Sequence, residues 1–484
     1  MSEKGQFPPL FGAHQTSSND QMTSSLDLFA PQKLNPSLKA HHIINVRPLN
    51  LVSEGPIEFV LPQMSNYYTD LKSTEMHLQL RVYKTATNQP LARPTPAHDD
   101  DVSFINNIFS SLWSSIEITI GDKAMPDLHQ DFVWMKSYLE NMLSFGADAK
   151  RTQLSSVGFT RADNPGNFHQ TRLKKRPFID GQTPEIDPAN KVFEVHSKLV
   201  DAGSMLLIGV PSADIFSAEK LFPPNIKFGF KFNRMPDDFV FMYDDQYIEN
   251  PPSSAGSYHF KIEAISLNVK YVEVHPKIAE AHQARFRQKH LSEHPFTRTI
   301  IRKWAFASGL STIAVNNIYS GGVVPKMLLV LLADSEALAG HRKKNPLEFC
   351  HYDMSYCQIR YNGALLPTPD IYRPNADLRF MREYKALCNA IGFLGDKNGG
   401  NSVDHEMFSK SCFLLPFQFC SDSCGNAVVH PCLYGLVDVE IGFKTPLPKN
   451  VTMFVHSLYD ATIFIDEHQQ VMTTLGGGVT VKSQ

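Results

Sequence analysis

The protein is a chain of 484 residues, of which 42% are hydrophobic and 20% charged, with a formal net charge of −3 at pH 7. This balance is typical of a globular chain that buries a large core, and it argues against general disorder. The slightly acidic charge supplies no overall field to hold nucleic acid, so we expect no sequence-specific nucleic-acid binding. The length suits two large all-β domains as well as three average domains.

The N-terminal region, residues 1–41, is predicted to be a flexible arm. It is rich in Ser, Gln, Asn and Pro and contains one isolated apolar patch, "LDLF". Such a composition buries too little apolar surface to fold alone. The opening stretch lacks the layout of a secretory signal, and the longest apolar run, Met327–Ala333, has only the length of a strand. We therefore expect neither a signal peptide nor a membrane span.

From Ile43 onward the chain is built of short stretches in which apolar and polar residues alternate. Examples are "IEFVL", "MHLQLRVY", "IEITI", "IKFGFKF" and "LVDVEIGF", separated by Pro, Gly, Asn and Asp. Period-two alternation with such punctuation predicts half-buried antiparallel strands in a sandwich or barrel. Helical patterns do not alternate regularly with these strands, which argues against a parallel α/β fold.

Three short patterns recur in the same order in the two halves of the chain. Ile116, Ile118, Ile120 and Pro126 align with Cys357, Ile359, Tyr361 and Pro367, each 241 residues later. Met135, Tyr138, Met142, Phe145 and Gly146 align with Met381, Tyr384, Cys388, Ile391 and Gly392, each 246 residues later. Pro223, Asn225, Ile226 and Phe228 align with Pro448, Asn450, Val451 and Met453, each 225 residues later. Repetition in a preserved order predicts a duplicated β domain.

Each copy fits an eight-stranded jelly roll that carries short helices in its connecting loops. We therefore predict an all-β fold of two tandem jelly rolls. The first is assigned to residues 42–255 and the second to residues 256–470, followed by a flexible tail at residues 471–484. The apolar stripe of Met135, Tyr138 and Met142 is interpreted as core packing of a helix, since such stripes usually pack in a core.

The seven cysteines all lie in the second half of the chain, between Cys350 and Cys432. An odd number confined to one region fits reduced thiols of a cytosolic or nuclear protein better than a disulfide framework. Cys412, Cys420, Cys424 and Cys432 are separated by seven, three and seven residues, unlike the paired cysteines of zinc sites. We interpret the cysteines as small buried hydrophobic residues.

Three stretches resemble catalytic or binding motifs only in part. "HEMFS" at residues 405–409 has a serine where a zinc-protease helix needs its second histidine. "GGGVTVKS" at residues 476–483 has a valine in place of the last glycine of a phosphate loop. "HDDD" at residues 98–101 is best explained as a solvated acidic loop. We predict no catalytic, cofactor-binding or metal-binding residues and no cofactor.

Basic residues cluster in "RLKKRP" (172–177), in "HRKKNP" (341–346) and in a predicted helix within residues 277–290. Nuclear-import signals and contacts with packaged nucleic acid are two functional interpretations of these runs. Solvated loops are the favoured alternative, because short basic runs are common on protein surfaces and the net charge is negative.

Five longer stretches carry a family resemblance. In the first half they are "RPLNLVSEGPIEFVLP" with the following "YTDL" (47–71), "NNIFSSLWSSIEITIG" (106–121) and "YLENMLSFGADAKRTQL" (138–154). In the second half they are "NPLEFCHYDMSYCQIRYNG" (345–363) and "DATIFIDEHQ" (460–469). Together they resemble the major capsid proteins of Polinton (Maverick) elements and of the related adintoviruses. The family often has an Asn-Gly-like turn, which is kept at Asn362–Gly363 but reads "IGDK" in the first copy.

The resemblance implies a double jelly-roll major capsid protein of the virion and not an enzyme. Its homotrimers would be pseudo-hexameric capsomers that tile an icosahedral shell around a double-stranded DNA genome, because two similar domains in three chains give six similar lobes. The implied partners are further copies of itself, a single jelly-roll penton protein, and a cement protein or internal membrane. Synthesis in the host cytoplasm and assembly in the cytoplasm or nucleus would follow, with the N-terminal arm on the inner side of the shell.

Two other classes of protein are compatible with tandem β domains. A two-domain β-sandwich hydrolase needs convergent carboxylates in a cleft and is usually secreted with disulfides, and the sequence shows neither. A carbohydrate-binding or receptor-binding protein needs exposed aromatic residues around a groove. All three tryptophans, Trp113, Trp134 and Trp304, lie instead in apolar patterns.

Overall fold

The structure is a computed structural model. It describes residues 37–50, 55–91, 102–121, 123–163, 165–169, 190–243, 258–319, 322–365, 371–376, 379–393, 400–420 and 433–475. The predicted N-terminal arm up to residue 36 and residues 244–257 lie outside these ranges.

The first half of the chain contains eleven described strands and five described helices. The strands are β1 (Leu38–Val46), β2 (Ile57–Val60), β3 (Tyr68–Lys84), β4 (Val102–Phe104), β5 (Trp113–Ile120), β6 (Lys123–Ala124), β7 (Gln130–Asp131), β8 (Met205–Gly209), β9 (Phe228–Arg234), β10 (Phe241–Tyr243) and β11 (Tyr258–Val274). The helices are α1 (Ile108–Ser111), α2 (Val133–Ser144), α3 (Ala147–Arg151), α4 (Lys191–Asp201) and α5 (Asp237–Val240). Helix α6 (Pro276–Arg287) then leads into the second half.

The second half repeats this mixture of strands and short helices. The strands are β12 (Ser292–Phe306), β13 (Thr312–Val315), β14 (Val323–Val324), β15 (Met327–Asp334), β16 (Met354–Tyr361), β17 (Ala364–Leu365), β18 (Ile371–Tyr372), β19 (Leu415–Gln418), β20 (Leu433–Tyr434), β21 (Val437–Phe443), β22 (Val451–Ile465) and β23 (Val471–Leu475). The helices are α7 (Ser335–Leu338), α8 (Met381–Ala390) and α9 (His405–Lys410).

Each half forms two main antiparallel sheets with the same internal order, besides a two-stranded sheet, β4-β10 in the first half and β14-β20 in the second. In the first half the orders are β1-β11-β3-β8 and β2-β9-β5-β6, and β7 also pairs with β5. In the second half they are β12-β22-β15-β19 and β13-β21-β16-β17, and β18 also pairs with β16. These are two tandem jelly rolls with helices in their connections, which confirms the predicted fold class. The alternating strands bury one face in a core that continues through both halves.

The strands of the first predicted repeat are confirmed down to their register, while its Pro367 lies outside the described residues. Strands β5 and β16 start and end 241 residues apart, and β6 and β17 follow at the same distance. Ile120 pairs with Phe228 on β9, and the equivalent Tyr361 pairs with Val437 on β21. A one-residue slip would turn each strand's apolar face outward, so the shared register shows that both copies keep the same inner face.

The second repeat is real, but its alignment shifts by two residues. Phe132 and Phe380 both adopt a left-handed backbone and directly precede α2 and α8, which sets the equivalence at 248 residues. With this shift, buried residues align with buried residues: Met135, Leu139 and Met142 with Glu383, Leu387 and Ala390. Met381 is exposed, whereas Tyr384 and Ile391 pack partly buried against the core, so the stripe predicted for the second helix lies only at the edge of its packing face. The offset between the copies rises from 241 residues at the strands to 248 at the helices, because eight residues separate β18 from α8 whereas only Phe132 separates β7 from α2.

The third repeat is wrong, because it aligns strands that are not equivalent. Phe228 begins β9, which lies between β2 and β5. Val451 begins β22, which lies between β12 and β15 and corresponds to β11 of the first half. A Pro-x-Asn turn before an alternating strand occurs at several places in a β protein, so this short pattern carries little positional information.

The predicted domain boundaries also need correction. Strand β11 pairs with β1 and β3, so the first jelly roll extends from Leu38 to Val274 and does not end at residue 255. Residues 38–41 belong to β1 and not to an arm. Strand β23 pairs with β22, so the first residues of the predicted tail at 471–484 belong to the sheet of the second jelly roll that contains β22. In the sequence, the long alternating pattern of β11 looks like the start of a new domain. Only its pairing with β1 and β3 assigns it to the first jelly roll.

Candidate functional site

The stretches that resemble metal or catalytic motifs are not assembled into such a site. Within the ranges that the structure describes, no three His, Cys, Asp or Glu side chains are grouped so that they could hold a metal ion. Residues 405–409 begin α9, where Glu406 forms an ion pair with Lys410 one turn later at 2.6 Å. The stretches 98–101 and 476–483 lie outside the described residues.

The cysteines are of two kinds. Cys350, Cys357, Cys388 and Cys412 are free thiols, and burial raises the pKa of Cys350 to about 12. Cys420 is disulfide-bonded, so the prediction of reduced, buried thiols is wrong for this residue. Cys420 lies beyond the buried part of β19 and is partly exposed, so it is not a core residue. Cys424 and Cys432 lie outside the described residues.

The basic runs have different structural roles. Within 341–346, Lys344 contacts the carboxylates of Asp334 and Glu336, and the Arg342 guanidinium lies 5.7 Å from the ring centroid of Tyr243. This run therefore joins the two jelly rolls. The predicted helix within 277–290 is α6, and none of its residues is buried. The run 172–177 is outside the described ranges. Among the described helices, none has the length and apolarity needed to cross a membrane.

A buried group of charged residues lies where the two jelly rolls meet, and we call Lys136, Asp214, Arg298 and His456 the junction network. Lys136 is on α2 and Asp214 begins a short 3-10 turn, both in the first jelly roll. Arg298 is on β12 of the second. Asp214 accepts from Lys136 at 3.3 Å and from Arg298 at 2.9 Å, and all three side chains are less than a tenth exposed.

Backbone and amide groups supply further hydrogen bonds to this network, although Arg298 Nε has no hydrogen-bond partner among the described residues. The backbone amide of Thr299 donates to Asp214 Oδ2 at 2.7 Å. Arg298 donates to Gln130 Oε1 at 3.1 Å and to the carbonyl of His129. Because buried charges are costly unless they are paired and hydrogen-bonded, this arrangement holds only in one relative placement of the two jelly rolls. Burial opposes the charge on Lys136, but the nearby carboxylates of Glu140 and Asp214 outweigh it and raise the pKa of Lys136.

His456, on β22, is the fourth member of the junction network. Its side chain is buried, and neither ring nitrogen has a hydrogen-bond partner among the described residues. Burial, helped by the positive charge of Lys136, lowers the pKa of His456 to about 4. The imidazole is therefore neutral at pH 7, and protonating it would place a second cation beside Lys136.

Aromatic contacts surround the charged groups. Phe454 on β22 meets Phe132 and Trp134 of the first jelly roll edge to face, at ring-centroid distances of 5.8 and 6.3 Å. On the same junction, the His294 ring stacks on Phe222 at 4.5 Å. Such rings exclude water from the ion pairs and add packing energy of their own.

A second polar contact between the jelly rolls lies at the far end of α2. The buried ammonium of Lys150 donates to the carbonyls of Met142 and Asn401 and, at 3.3 Å, to the hydroxyl of Ser402. Burial lowers the pKa of Lys150 to about 8, because no carboxylate is among these acceptors. The junction is thus fixed at several separate points, as expected of a rigid two-lobed unit.

Sequence reasoning did not find the junction network. The signal was present in part: Lys136 interrupts the apolar run "FVWMKSYLENML", and His456 interrupts "VTMFVHSLYDATIFI". A polar residue at a core-facing position of an amphipathic pattern indicates a buried partner. The partner itself was not visible, because Asp214 and Arg298 are 84 residues apart in the chain.

Comparison with known proteins adds one relative in sequence and several in structure. No protein-family model matches the chain. "Uncharacterized protein F54H12.2" of Caenorhabditis elegans is 21% identical over 420 residues, which cover 86% of this chain and 92% of that protein.

Two solved virus structures share the fold. The Sputnik virophage structure matches with a TM-score of 0.60 and 11% identity, covering 96% of this chain and 95% of that chain. The PBCV-1 virus capsid matches with a TM-score of 0.53 and 8% identity, covering 93% of this chain and all of that chain. The first of these structures is of a virophage and the second is of a virus capsid. At such identities the match shows the fold, which is a double jelly roll over nearly the whole chain.

Proposed function

We propose that this chain is a viral major capsid protein whose homotrimers act as pseudo-hexameric capsomers of an icosahedral shell. The observation that carries this proposal is the duplication of both sheets in the same order and, for β5, β9 and their counterparts, in the same register. Two similar lobes per chain give six per trimer, and such a ring fits hexagonal lattice positions. The double jelly-roll virus structures that share the fold support the same conclusion.

The junction supports a structural role in place of a catalytic one. Paired ions, stacked rings and the Lys150 contacts hold the two lobes in one orientation, which a capsomer needs because its lobes must match lattice neighbours. A cleft of about 470 Å³ between the jelly rolls has no Asp or Glu in its described lining. A second cavity of about 510 Å³ beside α9 includes Asp404 and Glu406, but Asp404 caps the helix and Glu406 is paired with Lys410. Trp113 and Trp134 are buried, and Trp304 packs partly buried against the core.

The finer features of this proposal follow from the resemblance to Polinton (Maverick) and adintovirus capsid proteins. They are a double-stranded DNA genome, a single jelly-roll penton protein at the vertices, and a cement protein or internal membrane as a further partner. Assembly would take place in the host cytoplasm or nucleus. Residues 1–36 would lie on the inner side of the shell, and a chain without them that still forms shells in full yield would contradict this placement.

The test is electron microscopy with mass determination of the chain expressed alone and together with a candidate penton protein. We expect trimers of pseudo-hexagonal outline from the chain alone, and closed shells when the penton protein is present. A chain that stays monomeric at high concentration in both samples would refute the capsomer proposal. Binding of a saccharide by such a monomer would then favour a carbohydrate-binding protein.

A further inference from the structure

The two jelly rolls contain an equivalent turn in equivalent backbone geometry. We define the first-roll turn as β6 with residues 224–227, and the second-roll turn as β17 with residues 433–436. The amide of Gly121 donates to the Lys227 carbonyl at 2.8 Å, and the amide of Asn362 donates to the Leu436 carbonyl at 2.9 Å. Strand register fixes this equivalence, because the residues that follow, Phe228 and Val437, begin β9 and β21.

The first-roll turn faces the second jelly roll of the same chain across a cleft of about 470 Å³, while its β6 residues stay exposed. Residues 468–470 of the loop between β22 and β23, together with Val471, line this cleft opposite Lys123, Asn225 and Lys227. Just beyond them, Thr473 Oγ1 donates to Asp127 Oδ2 at 3.2 Å. The facing segment is therefore the one that directly follows β22, a strand in the middle of its sheet.

The second-roll turn has a different surface chemistry. Its side chains Leu365, Leu433, Tyr434 and Leu436 are 42, 39, 65 and 53% exposed. The equivalent first-roll residues are Ala124, Pro224, Asn225 and Lys227. Large apolar side chains thus stand on the second-roll turn, where residues 433 and 434 pair with β14 of the same jelly roll but their side chains remain exposed. A group of this kind on a protein surface marks an interface.

Internal symmetry identifies what covers it. The strand equivalent to β22 is β11, and the segment that directly follows β11 is His275 with helix α6. None of the residues of α6 is buried, and the apolar side chains of Ile278 and Phe286 are only partly covered. We infer that the second-roll turn binds the His275–Arg287 segment of a second copy of this chain.

This inference rests on the proposed trimer and specifies its contact. Each chain contributes one contact inside itself, where the segment after β22 faces the first-roll turn across the cleft. Each chain also contributes one contact to its neighbour, where α6 covers the second-roll turn. Three copies then close a ring of six similar contacts, which is how head-to-tail interfaces form closed assemblies.

The test exchanges the second-roll residues for their first-roll equivalents, Tyr434→Asn with Leu436→Lys. Both new side chains already occur on the same backbone in the first jelly roll, so folding should persist, and an unchanged melting temperature of the monomer checks this. We expect at least a tenfold weaker trimer by sedimentation. Met381→Lys, which changes an exposed apolar residue elsewhere in the second jelly roll, is the matched control and should remain trimeric.

A photo-cross-linking residue at position 434 locates the partner segment. With isotope-labelled and unlabelled chains mixed, we expect cross-links between copies to peptide 275–287. Cross-links to the chain's own residues 421–432, or to another element of the second copy, would overturn the inference. A wild-type chain that never forms trimers would refute the capsomer proposal itself. A normal trimer that survives both substitutions would refute only the contact.

Discussion

Helices α2 and α8 occupy equivalent places in the two jelly rolls but have different surroundings. Both follow a phenylalanine with a left-handed backbone, yet α2 lies in the junction while α8 buries only Glu383, Leu387 and Ala390. Trp134 on α2 packs against Phe454 of the other jelly roll, whereas the equivalent residue on α8 is the exposed Arg382. Equivalent sheets therefore keep the same strand order in both copies. Equivalent connecting helices differ in burial, because different parts of the chain pack against them.

The largest expected effect comes from truncating this pair of equivalent residues. Trp134→Ala should lower the free energy of unfolding by about 4 kcal/mol, because it opens a cavity between Phe239 and Phe454. Arg382→Ala should change it by less than about 0.5 kcal/mol, since the side chain is exposed. Urea unfolding of both variants measures the difference. Equal losses in the two variants would show that α8 is packed like α2.

A second prediction concerns the pH dependence of the junction. The pKa of His456 is about 4 in the folded protein, and the ordinary value of 6.5 applies after unfolding. The folded state therefore binds fewer protons, so this stabilisation is complete above pH 6.5 and is lost as the pH falls toward 4. The full loss is about 3 kcal/mol, from 1.36 kcal/mol per pKa unit.

Unfolding of wild type and His456→Gln between pH 7 and 4 measures this contribution. The groups that face His456 are Lys136 and Asp214, and both are retained in the variant. We expect the stability of His456→Gln to fall less steeply than that of the wild type between pH 6.5 and 4. Parallel curves would mean that the imidazole is already protonated, or solvated, in the folded protein.

A third prediction concerns a cross-strand pair of residues in which both side chains differ between the two jelly rolls. Ser115 pairs with Asn233 across β5 and β9, and the equivalent pair on β16 and β21 is Tyr356 with Gly442. A Cβ atom on Gly442 would lie 2.2 Å from the Tyr356 ring. Gly442→Asn should therefore cost about 2 kcal/mol through overpacking.

Adding Tyr356→Ser to Gly442→Asn restores the first-copy pair, in which Asn233 donates to Ser115 Oγ at 2.9 Å. The double variant should recover at least half of the lost stability in a double-mutant cycle. Tyr356→Ser alone should also destabilise, because it removes the hydrogen bond from the Tyr356 hydroxyl to Glu440 at 2.8 Å. If the losses in free energy of unfolding are strictly additive, residues 356 and 442 are not energetically coupled, and the difference between the two copies is not a paired replacement.

Much of the fold could be predicted from the sequence, because its signals are local. Period-two alternation identified the strands, and the strand-turn unit at Ile116 and Cys357 identified the duplication. The membership of β11 and the false third repeat could not be resolved, since several strands share the same alternation and the same preceding turn. The junction could not be predicted either, because the pairing of Asp214 with Arg298 depends on how two complete domains pack.

The smallest expected effect tests the turn at which the two copies depart from each other in sequence. Gly121 has φ +66°, and the equivalent Asn362 has φ +51°, so both turns use the same left-handed conformation. A Cβ atom on Gly121 would contact nothing within 4 Å, so only backbone strain opposes a side chain there. Gly121→Ala should cost about 1 kcal/mol. Gly121→Asn should cost less, because asparagine tolerates this conformation. Equal losses for the two variants in urea unfolding would mean that the turn in the first copy is specific for glycine and is not interchangeable with that of the second.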